Sequence, residues 1–232
     1  MNMSIKLKEK RISKIGLIDD DDNVRQGYRY STDDLDLYAG DVSGPIRDVD
    51  MLVAQSKSQF DAIICDYNLK TKNYSSVNGD ELCVKFYKTK LPAVLCTRFD
   101  GNLPLPIRKH RRFIPVVIAP SELDAELLVE SLVICIDELA GRFTKARKPY
   151  RAMLRIEGGD AIGAGGRLLL NLVVPSWNAG HMFTMEIDQC AGEAYYLALQ
   201  AVNSGSVERM FADVNLDAET VDDLFISEWR LR

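Results

Sequence analysis

Long apolar segments are missing from this chain of 232 residues. No stretch approaches the roughly 18 consecutive apolar residues that a membrane-spanning helix needs. The basic start of the chain, residues 1–11, is not followed by an apolar run of the length found in secretory signals. We therefore expect a soluble, cytoplasmic protein without a membrane partner.

Histidine is rare, and cysteine occurs without a metal-binding pattern. The two histidines, His110 and His181, lie far apart in the sequence and do not indicate a histidine-ligated metal site. Cysteine is present in an odd number and mostly within apolar segments, at Cys65, Cys83, Cys96, Cys135 and Cys190. This pattern is typical of buried, reduced thiols rather than of disulfides or zinc sites.

Positive charge is scarce in the last third of the chain. No lysine follows Lys148, the remaining arginines are outnumbered by acids, and the whole chain has a formal net charge of -5. DNA-binding output domains need a basic recognition helix for phosphate contacts. The composition therefore predicts that nucleic acid is not a partner.

Three apolar strands each end in a side chain that carries oxygen. The stretches are FDAIICDYNL, KIGLIDDDDN and PAVLCTRF. They end in Asp66, in Asp19 and Asp20, and in Thr97, respectively. Because the carboxyl ends of parallel strands meet at one edge of an open sheet, where ligands bind, we expect these side chains to form one site.

This arrangement resembles the receiver domain of bacterial two-component response regulators. The acid pair comes roughly 45 residues before Asp66, and Thr97 comes roughly 30 residues after it, as an intervening βα unit each time requires. The resemblance covers about residues 12–141. It implies that Asp66 accepts a phosphoryl group from a histidine kinase and that Thr97 is the switch hydroxyl.

The same resemblance implies a metal site. It makes Asp19 and Asp20 the acid pair that binds Mg²⁺, together with Asp66 and the main-chain carbonyl of Asn68. Oxygen-only ligands suit Mg²⁺, which binds through a few acids and retains several waters.

The chain departs from the receiver pattern next to this site. Ala119 occupies the position of the usual lysine, and Val116 that of the usual switching aromatic residue. Arg98 follows Thr97, where receivers have a small residue that lets the phosphodonor approach. If a cation replaces the missing lysine, Arg98, acting as a gate, and Lys70 are the candidates.

Periodicity and turn residues predict a doubly wound, parallel five-stranded (βα)5 sheet. Two prolines, Pro104 and Pro106, require the fourth helix to be short or displaced. The final helix is predicted to start at Ser121 and to end at Gly141. The other helices are predicted over residues 23–30, 45–60 and 79–88, with the second and fifth strands near 35–40 and 114–120.

The domain prediction is a receiver-like domain over residues 1–141, a basic linker over 142–149 and a small β-rich domain over 150–232. Alternation in the last part predicts a sandwich or partly open barrel. Residues 193–202 fit a helix or a strand. The glycine-rich GGDAIGAGG lacks the Gly-Lys-Ser/Thr ending of a phosphate loop, which favours a hairpin connection.

We expect a divergent response regulator, not an enzyme, whose β-rich domain signals through a protein partner. The alternative is a pseudo-receiver or a phosphate sink, because the residue that reads out phosphorylation is missing. An enzymatic interpretation as a haloacid-dehalogenase-type phosphatase would make Asp19 the nucleophile and Asp21 the general acid. A homodimer stays open, since the face that receivers use to dimerise is the part most altered here.

Overall fold

The computed structural model describes residues 4–99, 102–163 and 166–231. The chain divides into two compact units. The first unit comprises Met1–Gly101 and Phe113–Phe143, and the second comprises Asn102–Arg112 and Thr144–Arg232. Residues 102–112, which the sequence placed in the receiver-like domain, therefore belong to the second unit.

The first unit contains a five-stranded parallel sheet and a small hairpin. The hairpin pairs β1 (Ile5–Leu7) with β2 (Lys10–Ile12) and was not predicted, because its strands are only three residues long. The sheet strands are β3 (Lys14–Ile18), β4 (Tyr38–Asp41), β5 (Ala62–Asp66), β6 (Ala93–Cys96) and β7 (Val117–Ile118).

The spatial order of the sheet is β4-β3-β5-β6-β7, and all neighbours are parallel. In chain order this is 2-1-3-4-5, the doubly wound order found in flavodoxin and CheY. The predicted fold of this half is confirmed. The fifth strand is shorter than predicted, with only two residues in the ladder.

The first five helices in the chain are α1 (Asp22–Asp33), α2 (Val49–Gln59), α3 (Gly79–Lys88), α4 (Leu105–His110) and α5 (Ala125–Leu139). The bounds of α3 match the prediction. Helix α1 is longer than expected, with Asp21 capping its first turn through Asn23 N. Helix α2 starts later than expected because Asp48 caps it through Met51 N.

The predicted start of α5 at Ser121 is wrong. Asp124 is the N-cap, and its carboxylate accepts a hydrogen bond of 2.8 Å from Leu127 N. An ionised cap also complements the positive end of the helix dipole. The end of α5 was predicted correctly, since Gly141 has a φ of 81° just beyond the last turn.

The second unit contains a single antiparallel sheet of order β10-β9-β8-β11-β12. Its strands are β8 (Tyr150–Ile162), β9 (Arg167–Val173), β10 (Met182–Asp188), β11 (Glu208–Val214) and β12 (Ile226–Arg230). The predicted β-rich character is confirmed. The sandwich or barrel is wrong, because one helix covers the apolar face of this sheet.

That covering helix is α7 (Glu193–Ser204), so the segment that fitted either a helix or a strand is a helix. A four-residue helix, α6 (Pro175–Asn178), precedes it in the chain. Small residues on its buried side pack against the strands, and the core includes Leu154, Leu170, Met210, Ala194, Ala198 and Ala201. The glycine-rich segment joins β8 to β9 as a hairpin. Ala164 and Gly165 of this connection lie outside the described residues.

Helix α4 is short, as the prolines predicted, and it packs against β10 within the second unit. Lys109 Nζ lies 2.9 Å from Glu186 Oε1 and 2.6 Å from Asp188 Oδ2. Arg108 Nη2 donates a hydrogen bond of 3.1 Å to the carbonyl of Thr184. These contacts explain why the segment joins the second unit.

All five cysteines are free, and Cys190 is the exposed one, as expected for reduced thiols. Among the described residues, no helix combines the length and the apolarity needed to cross a membrane.

Candidate functional site

The predicted side chains meet at the carboxyl edge of the parallel sheet. Asp66 is the last residue of β5, Asp19 directly follows β3, and Thr97 directly follows β6. The register pairs Ile18 with Cys65 and Asp66 with Cys96, so the three strand ends are neighbours. The structure thus brings together the groups that the strand pattern predicted.

Asp19 is buried and held by two protein donors. Its side chain accepts hydrogen bonds from the Tyr28 hydroxyl at 3.1 Å and from Asp21 N at 2.8 Å, one on each carboxylate oxygen. Burial raises the pKa of Asp19 above its usual range. Tyr28 itself is 1% exposed, on the inner side of α1. Asp19 is therefore fixed in one orientation.

Asp66 is only partly buried, in contrast to Asp19. Burial, and then the nearby charge of Asp19, raise the pKa of Asp66 to about 6. A hydrogen bond of 2.7 Å from Asn68 N to Asp66 Oδ2 works in the opposite direction. The two carboxylates thus repel one another, and a cation at this edge would offset that repulsion.

Gly79, the first residue of α3, permits the close approach of that helix to the acidic edge. A Cβ at this position would lie 1.8 Å from the carbonyl oxygen of Asp66. The Gly79 amide donates instead to Tyr67 O at 2.9 Å. Any larger residue would push α3 away from the candidate acceptor.

Thr97 is 1% exposed, and its hydroxyl has no hydrogen-bond partner among the described residues. Its amide donates to Ile118 O at 2.9 Å, which fixes the residue beside β7. Ala119 follows β7 and presents a methyl group where receivers have a lysine. Arg98 is exposed to solvent.

Lys72, which the sequence did not single out, places a cation beside the acid pair. Its ammonium lies 3.7 Å from both Asp20 Oδ1 and Asp21 Oδ2. Lys70, considered as a replacement cation, instead lies 3.2 Å from Glu81 Oε1. Lys72 adopts a φ of 53°, and this left-handed turn was not readable from the polar segment around it.

Sequence reasoning also missed Tyr28. The only available signal was an aromatic residue with a polar end on the first helix after the acid pair, which is compatible with ordinary core packing.

The carboxylate and carbonyl oxygens at the sheet edge are of the kind that binds Mg²⁺. Among the described residues, no three acidic, cysteine or histidine side chains are grouped so that they could hold a metal ion by themselves. The candidate set is therefore two carboxylates, Asp20 and Asp66, with the carbonyl of Asn68 and the charge of Asp19. Mg²⁺ accepts such a sparse set of oxygens because it retains several waters.

The Thr71 hydroxyl lies on the loop side of this set, 2.8 Å from the Asn68 carbonyl oxygen and 3.2 Å from Asp20 Oδ2. Because it has one proton, it donates to one of these two acceptors at a time. Its position shows that both candidate ligands lie on the same side of the acidic edge.

Comparison with known proteins finds no matching protein-family model and no matching curated protein. Many solved structures similar to this chain are receiver domains of response regulators. One is a receiver domain protein from Clostridium thermocellum, with 14% identity, a TM-score of 0.42 and coverage of 55% of this chain and 96% of that one.

Two further similar structures are also of response regulator proteins. The response regulator TrrA from Thermotoga maritima, solved in complex with Mg²⁺-BeF, has 15% identity, a TM-score of 0.40 and coverage of 52% and 99% of the two chains. A CheY-like receiver domain protein from Methanospirillum hungatei has 15% identity, a TM-score of 0.39 and coverage of 56% and 98%. The first unit has the receiver fold. Its strand order and edge residues carry that assignment.

Proposed function

We propose that this protein is a divergent response regulator of two-component signalling in which Asp66 accepts a phosphoryl group from a histidine kinase. The observation that carries the proposal is the composition of the sheet edge. A partly buried carboxylate, Asp66, lies beside a fixed second carboxylate, Asp19, and a buried hydroxyl, Thr97, that has no described partner.

The chemistry follows from these groups. A carboxylate oxygen of Asp66 attacks the phosphorus of a phosphohistidine, the P–N bond breaks, and the imidazole leaves with the electron pair. Mg²⁺, held by Asp20, Asp66 and the Asn68 carbonyl, would stabilise the negative charge of the transferring phosphoryl group. Thr97 then supplies a hydroxyl that can donate to a phosphoryl oxygen.

The proposal assigns Asp66, rather than Asp19, as the phosphorylated residue. Asp19 is 3% exposed and both of its oxygens already accept protein hydrogen bonds. A nucleophile needs a free lone pair and room for its substrate. This arrangement supports signalling rather than phosphatase chemistry.

A second candidate function is a phosphate sink or a binding-only pseudo-receiver. Ala119 favours it, because a methyl group cannot pair with a phosphoryl group as a lysine does. In a sink, Asp66 would accept phosphate without strong coupling to the rest of the protein. In a pseudo-receiver, Asp66 would not be phosphorylated at all.

Intact-protein mass after incubation with Mg²⁺ and acetyl phosphate tests the proposal. The wild type is expected to gain the mass of one phosphoryl group, and Asp66→Asn is expected to gain none. Asp36→Asn is the matched control, because Asp36 is exposed and its φ of 55° suits asparagine. Phosphorylation of Asp66→Asn would redirect the assignment to another residue.

Arg98 follows Thr97 and is the residue expected to block a small donor, so Arg98→Ala belongs in the same experiment. If both the wild type and Arg98→Ala remain unmodified by acetyl phosphate, the acceptor proposal fails and the pseudo-receiver remains. If modification occurs, a change in hydrogen exchange of the second unit on phosphorylation separates a regulator from a sink.

The second unit is proposed to signal by contact with another protein. Most of this unit, residues 149–232, contains no lysine and more acids than arginines, which does not favour phosphate contacts with nucleic acid. The partner is expected to be recovered by cross-linking to the full chain, and a salt-dependent gel shift with duplex DNA would contradict the assignment.

A further inference from the structure

A cavity of about 950 Å³ lies in the first unit, beside the carboxyl end of β4. It is lined by the chain around residues 41–47 and 72–76, and it reaches Asp20 and Arg25 on the other side. Binding cavities for small molecules have volumes of about 300 to 1,000 Å³, so the space suits a molecule the size of a nucleotide. Asp66 is not among the residues that line it.

Backbone pairing holds the walls of this cavity in place. Ile46 N donates to Tyr74 O at 2.7 Å, and Ser76 N donates to Ile46 O at 3.2 Å. The Tyr74 hydroxyl donates to the carbonyl of Val42. A Cβ on Gly44 would come 2.6 Å from the Tyr74 ring, so the ring packs directly on that glycine. The cavity is therefore preformed.

Two of the charged residues that line the cavity, Arg25 and Asp41, form an ion pair with each other. Arg25 also forms an ion pair with Asp22, and Asp41 also pairs with Arg29. The paired groups therefore contribute little net charge to the cavity.

Arg47, in contrast, is exposed and makes no hydrogen bond or ion pair with any described residue. Lys72 is 60% exposed; its ammonium lies 3.7 Å from its two acidic neighbours and donates one long hydrogen bond of 3.4 Å to the carbonyl of Asp20. Arg47 is thus free to contact a ligand, and Lys72 can do so by giving up that one hydrogen bond.

We propose that this cavity binds the phosphate group of a small molecule through Arg47 and Lys72. A guanidinium pairs with phosphate through parallel N–H donors, and an ammonium adds a compact charge. The hydroxyls of Ser43 and Ser76 also line the cavity and can donate to phosphate oxygens. The remaining volume accommodates an organic part of the ligand. Asp66 does not line this site, although Asp20, a candidate metal ligand of the acceptor chemistry, does.

Isothermal titration of the full chain tests the proposal, with inorganic phosphate and AMP as the two probes. The buffer contains EDTA, so that phosphate cannot bind through a metal at the acidic edge. We expect AMP to bind more tightly than inorganic phosphate if the organic part is recognised, and equal affinities if only the phosphate group is held.

The variants decide where the probes bind. Arg47→Ala and Lys72→Ala are each expected to weaken binding at least about five-fold, close to 1 kcal/mol by the relation between affinity and free energy. Arg11→Ala, which removes an exposed arginine from β2, is the matched control and is expected to bind as the wild type does.

Asp66→Asn separates this proposal from the phosphorylation proposal. It is expected to bind both probes unchanged even though it cannot accept a phosphoryl group. Binding that disappears in Asp66→Asn but persists in Arg47→Ala would place the phosphate at the acidic edge and overturn the cavity site. Absence of heat with both probes up to about 10 mM would also overturn it.

Discussion

At the scale of single residues, Tyr28 links the first helix to the candidate site. Its hydroxyl is buried and donates to Asp19, a contact between residues nine positions apart in the sequence. A buried carboxylate oxygen that loses its hydrogen-bond donor is left without water or protein partner, which destabilises the folded state. The tyrosine therefore supports the orientation of Asp19 as well as the packing of the core.

Tyr28→Phe is expected to lower the free energy of unfolding of the first unit by about 1 to 3 kcal/mol, because Asp19 Oδ2 loses its partner. Urea denaturation followed by hydrogen exchange of β3 amides in EDTA measures this. Tyr30→Phe is the matched control, since Tyr30 lies on the same helix and is 64% exposed. Equal stability of the two variants would contradict the role of the hydroxyl.

Asp61 has a structural role at the opposite end of the strands. Its Oδ2 accepts hydrogen bonds from Ser13 N at 2.8 Å, Ser13 Oγ at 2.9 Å and Lys14 N at 3.0 Å. Burial opposes ionisation of Asp61, but the hydrogen bonds from Ser13 outweigh it and hold its pKa below the usual range. The carboxylate therefore ties the start of β5 to the start of β3.

The lowered pKa of Asp61 predicts how its contribution to the folding stability changes with pH. Because the folded pKa of Asp61 is lowered, its stabilisation is present above the unfolded pKa of about 3.9 and is lost as the pH falls through the folded pKa. Asp61→Ala is expected to cost about 1 to 3 kcal/mol at neutral pH and progressively less in acid. Urea midpoints measured from about pH 7 to pH 3 test this.

Asp33→Ala, at an exposed carboxylate, is the control for that series. A difference between Asp61→Ala and the wild type that grows towards low pH would contradict the assignment.

At the scale of elements, α4 is the part of the receiver pattern that changed most. It is six residues long, and its side chains Arg108 and Lys109 contact β10. Lys109 lies between two carboxylates, and Glu186 is 10% exposed on its side chain. Burial opposes the charge of Lys109, but its hydrogen bonds with Asp188 and Glu186 raise its pKa overall.

Lys109→Met is expected to destabilise the second unit by about 1 to 3 kcal/mol, because two partly buried carboxylates lose their shared cation. Both tryptophans, Trp177 and Trp229, lie in this unit, so tryptophan fluorescence during urea unfolding reports its stability. Lys145→Met is the control. Lys145 is 86% exposed and lies 3.7 Å from Asp217, a pair that is expected to contribute little.

At the scale of the whole molecule, the chain passes between its two units three times. Residues 102–112 belong to the second unit, the chain on both sides of them belongs to the first, and residues 144–232 belong to the second again. Leu103 N donates to Asp222 Oδ2 at 3.0 Å, and Arg111 contacts Asp223 Oδ1 at 3.2 Å. The partners of this segment therefore lie in the last part of the chain.

A chain shortened to residues 1–143 is expected to lose protection of residues 102–112, since Glu186 and Asp222 are absent from it. Hydrogen exchange with mass spectrometry is expected to show at least about ten-fold faster exchange there than in the full chain. Peptides from β5 provide the internal control for folding of the remaining sheet. Unchanged protection of residues 102–112 with an intact β5 would contradict the division.

The strand ends and the apolar periodicity were predictable because they are local properties of the sequence. Each apolar strand and the polar residue after it are neighbours in the chain, so Asp19, Asp66 and Thr97 could be placed at one edge. The start of α5 was not predicted correctly, because Ser121 and Asp124 are both good caps and the turn at Ala119 selects the later one.

By itself, the sequence determined the parallel sheet, the acidic edge and the β-rich character of the second unit, because periodicity and strand ends are short-range signals. Only the tertiary structure decided that α4 packs on β10, that Tyr28 contacts Asp19 and that Lys72 lies beside the acid pair. The physical reason is that these contacts join residues that are separated in the sequence, so no local pattern predicts them. Lys109 and Glu186 are 77 residues apart and meet only after both elements have folded.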